Sequence, residues 1–138
     1  MNNAKALQIL LDAPGIIPMP GVFDPVSTRL AERAGFKAAF MSGFMVAAAR
    51  IGMPDTGLIS YAEMLDQGRI LVDAVSIPVI GDGDTGWGNA INIKRTVKGY
   101  AAAGLACVML EDQLAPKRCG HTQGKQVVGR AEANIRFR

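Results

Sequence analysis

Six residues in the middle of this chain, Gly81-Asp82-Gly83-Asp84-Thr85-Gly86, set two carboxylates on either side of a single glycine. On an extended segment side chains repeat every second residue, so Asp82 and Asp84 point the same way and can share one hard cation. Glu111 and Asp112 close the next apolar run and add further oxygen donors. Oxygen donors without a histidine suit magnesium, with manganese as the alternative, better than zinc. A single Asp-Gly is ordinarily a turn acid or a helix cap, but two acidic clusters at successive strand ends favour a metal site.

A second constellation is Lys117-Arg118-Cys119-Gly120-His121, with Lys125 shortly after. A cysteine between cations and a histidine has its thiolate favoured, which equips Cys119 to give and take a proton near neutral pH. Gly120 and Gly124 allow the segment to move as a lid. His121, the only histidine in the chain, reads as lid support or a substrate contact rather than a metal ligand. Two weaker candidates precede these. Ser42-Gly43 follows an apolar run and offers backbone donors to a carboxylate, although such a pair is equally common as structural punctuation. Asp55 stands in Met53-Pro54-Asp55-Thr56-Gly57 and on its own reads as a turn residue. Cys107 lies in an apolar run and is expected to be inert core, and Trp87 to serve packing.

These residues need elements to hold them. Short apolar runs at Ile16–Met19, Lys37–Met41, Val79–Ile80 and Cys107–Leu110 read as four strands. Helices between them have legible signals: Asp24 with Pro25 opens one, with Val26 and Leu30 facing inward and Gly35 ending it. Ser60 and Glu63 have capping-box spacing ahead of Leu65, Leu71, Val72 and Val75. Asn89 opens a third helix, with Ile93, Val97 and Ala101 inward and Gly104 at its end, and Arg130–Arg138 reads as the start of another. The rhythm is α/β, and acidic groups at the carboxyl ends of several strands point to a barrel. Four units make the amino-terminal half of a (β/α)8 TIM-type barrel, which in full takes roughly 250 residues. The expectation is therefore a single partial barrel domain over residues 1–138, truncated, with two open sheet edges.

Composition narrows the function. The chain has 138 residues, 49% of them hydrophobic, enough for one core. Its net charge of +3 comes from scattered lysines and arginines not interleaved with aromatics, which argues against a nucleic-acid partner. No apolar run approaches the roughly 20 residues of a membrane span. No cleavable leader is evident, and a cytoplasmic location is expected, with two free thiols in a reducing compartment.

Taken in order, Ser42-Gly43, Pro54-Asp55, Gly81 to Gly86, Glu111-Asp112-Gln113 and Lys117 to His121 resemble the isocitrate lyase and phosphoenolpyruvate mutase superfamily. The resemblance covers essentially the whole chain, and Lys-Arg-Cys-Gly-His is similar to the lyase branch, whose cysteine sits on a mobile loop. It implies Asp84 as direct magnesium ligand, Asp82 and Glu111 holding metal-bound water or substrate, and Asp55 organising the metal site. It implies Cys119 as general acid, with Lys117, Arg118 and His121 gating and neutralising the site. Ser42, Gly43 and Gly120 would contact the substrate, the first two through backbone N–H groups. The implied activity is magnesium-dependent cleavage of a 2-hydroxy or alkyl-substituted malate- or isocitrate-type acid to a 2-oxo acid and a dicarboxylate. Gly83 and Thr85-Gly86 lean towards the 2,3-dimethylmalate type over the 2-methylisocitrate type. A phosphonate mutase, an oxaloacetate hydrolase and a non-catalytic half-barrel are the alternatives. The expected partners are a small carboxylic acid and, in the full-length family, further copies of the chain.

Overall fold

A computed structural model describes residues 2–138. Strands β1 (Gly21–Val22), β2 (Ala39–Met41), β3 (Val79–Asp82) and β4 (Cys107–Met109) pair parallel, each with the next, in the order β1-β2-β3-β4. A doubly wound sheet reverses its strand order at a switch point, and this sheet does not. Sequential parallel strands with helical crossovers are the winding of a (β/α)8 barrel, of which these four strands form one half.

Three of the expected strands form where the apolar runs lie. The first does not. Ile16–Met19 precedes the sheet, with Ile16 94% exposed, and pairing begins only at Gly21. Pro18 and Pro20 have no N–H to donate to a ladder, so the run they interrupt cannot pair as a strand.

Helix α1 (Asn3–Asp12), which sequence reasoning missed, is capped where Asn2 accepts the Ala4 N–H. Helix α2 (Pro25–Arg33) has a reciprocal cap: Asp24 accepts the Ser27 N–H at 2.6 Å and Ser27 Oγ accepts the Asp24 N–H at 3.2 Å. Its inward face is not the expected one. Val26 and Leu30 are 65% and 59% exposed, and the buried positions are Thr28 and Ala31. The helix rests on its small residues, which turns the larger apolar ones outward.

Helix α3 (Gly43–Val46) runs on as wider π-helical turns through Ala47–Ile51. Helix α4 (Tyr61–Ala74) opens with the expected capping box, Ser60 Oγ accepting the Glu63 N–H and Glu63 accepting the Ser60 N–H. Helix α5 (Ala90–Ala102) starts at Asn89 as expected and buries Ile93, but Val97 and Ala101 are exposed while Thr96 and Tyr100 take the inner positions. Helix α6 (Arg130–Arg136) follows β4 and a long loop.

The core lies between the sheet and the helices. Ala39, Met41 and Val79 from the strands pack with Met64, Leu71, Tyr100 and Leu105. Alternation along the strands sends Phe40, Ile80 and Cys107, which share one register row, to the opposite concave face. That face is uncovered, which is why Cys107, expected in the core, is exposed. Trp87 does serve packing: it is half-buried against Tyr61 and Tyr100, and its ring N–H donates to the Ile59 carbonyl at 3.0 Å. No helix is long and apolar enough to cross a membrane among the described residues.

Candidate metal centre

The carboxyl ends of β2, β3 and β4 converge. Ser42 and Gly43 leave β2, Asp82 ends β3, Asp84 follows one glycine later, and Glu111 follows β4. Asp82, Asp84 and Glu111 each present a carboxylate oxygen within 4.8 Å of the others. Asp112, also expected nearby, is exposed and stands outside this cluster. Neighbouring side chains on an extended segment diverge, so only one of an adjacent acidic pair reaches the cluster.

Backbone groups fix the orientation of Asp82. Its Oδ1 accepts the Asp84 N–H at 3.0 Å and its Oδ2 accepts the Gly43 N–H at 2.9 Å. The Tyr100 hydroxyl donates to the Asp82 carbonyl at 2.8 Å, tying β3 to α5. The Ser42 N–H donates to Val22 O, so both amides considered as carboxylate donors are engaged inside the protein. Gly43 admits no side chain without disturbance: a Cβ would stand 2.8 Å from Asp82 Oδ2. A Gly43→Ala chain is expected to bind divalent cations about 10-fold more weakly, the lower range for lost outer partners of a metal ligand. Calorimetric titration with magnesium checks this, and unchanged affinity would show that the Gly43 contact does not position Asp82.

Asp84 is 3% exposed and adopts a left-handed backbone with φ 45°. Aspartate tolerates that region better than most residues, though at a cost of about 1 kcal/mol or more. The turn aims the side chain at Lys117, whose Nζ lies 2.5 Å from Asp84 Oδ1 and 2.6 Å from Asp55 Oδ1. Lys117 is itself 4% exposed. Burial pushes the Asp84 carboxyl up to about 6, against the opposing pull of Lys117 and with the help of the Asp82 and Asp55 charges. Burial also disfavours the Lys117 ammonium, yet its bonds to Asp55 and Asp84 outweigh that and hold it above its ordinary range. Asp84 Oδ2 is buried with no hydrogen-bond partner among the described residues. A buried carboxylate oxygen without a donor needs a counter-charge. The donor set fits a hard divalent cation, since all three groups are carboxylates.

The loop between β4 and α6 carries the remaining candidates. Leu114 N–H donates to Gln126 O and Val128 N–H to Asp112 O, which closes the loop at its base. Within it, Lys125 Nζ donates to the carbonyls of Gly120 and Thr122, and Arg118 Nη1 to that of Gln123. Cys119 is half-buried and Gly120 and His121 are exposed. The His121 ring meets Phe44 edge-on at 6.5 Å between centroids, so the loop crosses from the β4 side to the start of α3.

Among the described residues, no hydrogen bond or ion pair of Lys117 or Arg118 reaches the Cys119 sulfur. The cations beside Cys119 in sequence are thus committed elsewhere, Lys117 to the acidic centre and Arg118 to its own loop. Asp55 joins the centre through Lys117 and is not part of the three-carboxylate cluster. The sequence motif Glu111-Asp112-Gln113 included Gln113 without giving it a role, and it is buried between Glu111 and the loop. A polar residue two positions beyond Glu111, on the same side of an extended segment, was the available signal.

Residues 7–137 match the family model described as phosphoenolpyruvate phosphomutase. The chain belongs to the phosphoenolpyruvate phosphomutase family. It is 41% identical over 132 residues to the 2,3-dimethylmalate lyase of Eubacterium barkeri, covering 96% of this chain and 46% of that protein. It is 48% identical over 120 residues to the chloroplastic carboxyvinyl-carboxyphosphonate phosphorylmutase of Arabidopsis thaliana, covering 86% of this chain and 35% of that one. A solved oxaloacetate acetylhydrolase in complex with the inhibitor 3,3-difluorooxalacetate superposes with a TM-score of 0.93 at 40% identity. That match covers 98% of this chain and 46% of the solved one. The chain spans less than half the length of the curated family relatives it matches. The family match runs through all three carboxylates, Lys117 and Cys119.

Proposed function

We propose that this chain supplies the metal-binding side of a magnesium-dependent carbon–carbon lyase. Its substrate class is a 2-hydroxy acid of the alkyl-substituted malate or isocitrate type, cleaved to a 2-oxo acid and a second carboxylate, which is a monocarboxylate from the malate type and a dicarboxylate from the isocitrate type. The observation that carries the reading is the buried, partnerless Oδ2 of Asp84 inside a three-carboxylate cluster at the strand ends. The likeness to a 2,3-dimethylmalate lyase supports the substrate class.

Asp84, Asp82 and Glu111 would hold magnesium, with manganese able to replace it. When bound, the cation supplies positive charge to the oxygens of the 2-oxo acid as the bond breaks. The chain's own residues position and balance the site. Gly43 and the Asp84 backbone keep the Asp82 carboxylate aimed at the cluster. Lys117 balances Asp55 and Asp84 and draws the loop onto the site. As the carbon–carbon bond breaks, its electron pair passes to the departing carboxylate fragment, and the 2-hydroxyl becomes the carbonyl by passing its proton to a carboxylate of the acidic centre. Cys119 donates its thiol proton to the carbon that received the pair, and Gly120 and His121 line the loop that excludes water.

Release of 2-oxo acid from 2,3-dimethylmalate, 2-methylisocitrate or isocitrate, dependent on magnesium, tests the reading. A Cys119→Ser chain is expected to lose about 10²- to 10⁴-fold in turnover, the range for a missing general acid, with metal affinity unchanged. No release from a folded, metal-loaded chain would overturn activity in this chain. A hydrolytic reading draws on the likeness to oxaloacetate acetylhydrolase, and cleavage of oxaloacetate that survives Cys119→Ser would favour it.

A further inference from the structure

We propose that Gln113 is a positioning residue that latches the Cys119 loop to the acidic centre, so that cation binding and loop order depend on one another. The inference rests on the reading of Asp82, Asp84 and Glu111 as a cation site.

Gln113 is 7% exposed, and its amide nitrogen and its carbonyl oxygen are both engaged. Its Nε2 donates to a Glu111 carboxylate oxygen and, at 2.9 Å, to the carbonyl of Arg118, while its Oε1 accepts the Arg118 N–H at 3.1 Å. The sense of the amide is fixed by its partners. A flipped side chain would face an N–H with an NH₂ and a carboxylate with a carbonyl oxygen. Arg118 therefore has both of its backbone polar groups captured by one side chain, at the residue immediately before Cys119.

Two further anchors tie the loop to the body, the Lys117 ion pairs and the His121–Phe44 contact. Neither touches Glu111. Among the described residues, Gln113 alone joins a carboxylate of the cluster to the loop backbone by side-chain hydrogen bonds. An outer partner that fixes a ligating carboxylate raises metal affinity, and the same bond passes the constraint to whatever else that partner holds. A cation that fixes Glu111 fixes the Gln113 amide, and the amide fixes Arg118 and the start of the Cys119 turn. The reverse follows by linkage: a loop held at Arg118 orders Glu111 for the cation.

The experiment uses the 138-residue chain, manganese as the probe, and the variants Gln113→Leu and Gln113→Glu. Leucine keeps the volume without hydrogen bonds, and glutamate keeps an acceptor for Arg118 while repelling Glu111. Manganese binding followed by electron paramagnetic resonance should weaken about 10- to 100-fold in both variants. Amide hydrogen exchange between Arg118 and Lys125 should speed up at least about tenfold in the metal-free variants, and manganese should slow it only in the wild type.

Wild-type affinity in both variants would overturn the proposal. So would manganese binding to the wild type that leaves exchange in this loop unchanged, a comparison that needs no variant to fold. If the wild type binds no manganese, the reading of the cluster fails. The metal-free comparison then still decides the latch: faster loop exchange in the variants supports it, and equal exchange overturns it.

Discussion

A Lys117→Met chain is expected to be about 3–5 kcal/mol less stable than the wild type, the usual cost of removing one partner from a buried charge pair. The ammonium stands 2.6 Å from Asp55 and 2.5 Å from Asp84, with all three side chains nearly inaccessible to water. Methionine fills similar space and leaves two carboxylates facing each other across a dry gap, with Asp82 close by. The pH dependence has a definite sign. Burial already raises the Asp84 carboxyl to about 6, so at lower pH it takes up a proton and its share of the ion pair fades even in the wild type. A group with a raised folded pKa favours the folded state below that value and penalises it above. The difference between the two chains should therefore be largest above about pH 6 and shrink as pH falls towards 4. Saturating magnesium should return part of the loss, because a cation on the cluster offsets the same carboxylates. Urea denaturation at pH 7.5 and pH 5 checks both statements. A variant as stable as the wild type at pH 7.5 would mean that Lys117 does not neutralise a buried site.

The second large effect concerns metal. Asp84→Asn should weaken magnesium binding by at least about 100-fold, at or beyond the upper end of what lost outer partners cost a metal site. Asparagine keeps the shape of the side chain and tolerates the left-handed backbone at φ 45°. It removes only the charge. The metal-free chain should thus stay within about 1 kcal/mol of wild type, because the buried charge it loses was opposed by desolvation from the start. Loss of metal binding at preserved stability separates a ligand from a structural ion pair, and Lys117→Met should show the opposite balance. Isothermal titration and thermal denaturation on the same samples distinguish the two. Retained magnesium affinity in Asp84→Asn would remove Asp84 from the ligand set.

The chemistry was more legible in the sequence than the packing. Gly-Asp-Gly-Asp at the end of an apolar run implies a strand that opens into an acidic turn, and β3 ends at Asp82 with Asp84 in the turn. The helix starts at Asp24, Ser60 and Asn89 were equally readable, and at Ser60 the reciprocal cap with Glu63 as well, because capping depends on residues close in sequence. Helix faces were harder. In α2 the larger apolar residues lie on the face turned away from the sheet, so a period drawn through Val26 and Leu30 selects the wrong side. The first strand failed for a different reason, since hydrophobicity marked Ile16–Met19 while the prolines around it removed the donors that pairing requires. Burial of Cys107 could not follow from its own segment, because it depends on what covers the concave face of the sheet. The pairing of Lys117 with Asp55 and Asp84 joins positions far apart in the sequence, and the hold of Gln113 on Arg118, five residues on, depends on how the loop turns back. In the sequence each of these residues has a different, local appearance: a basic run, a turn acid and a polar residue after a strand.

A divalent cation site at the strand ends underlies the proposed chemistry, and one titration tests it most directly. Manganese added to the 138-residue chain at neutral pH and followed by electron paramagnetic resonance should reveal one bound ion per chain, displaced by magnesium and absent in Asp84→Asn. A folded wild-type chain that binds no ion, or that binds it equally well without the Asp84 carboxylate, would contradict the account.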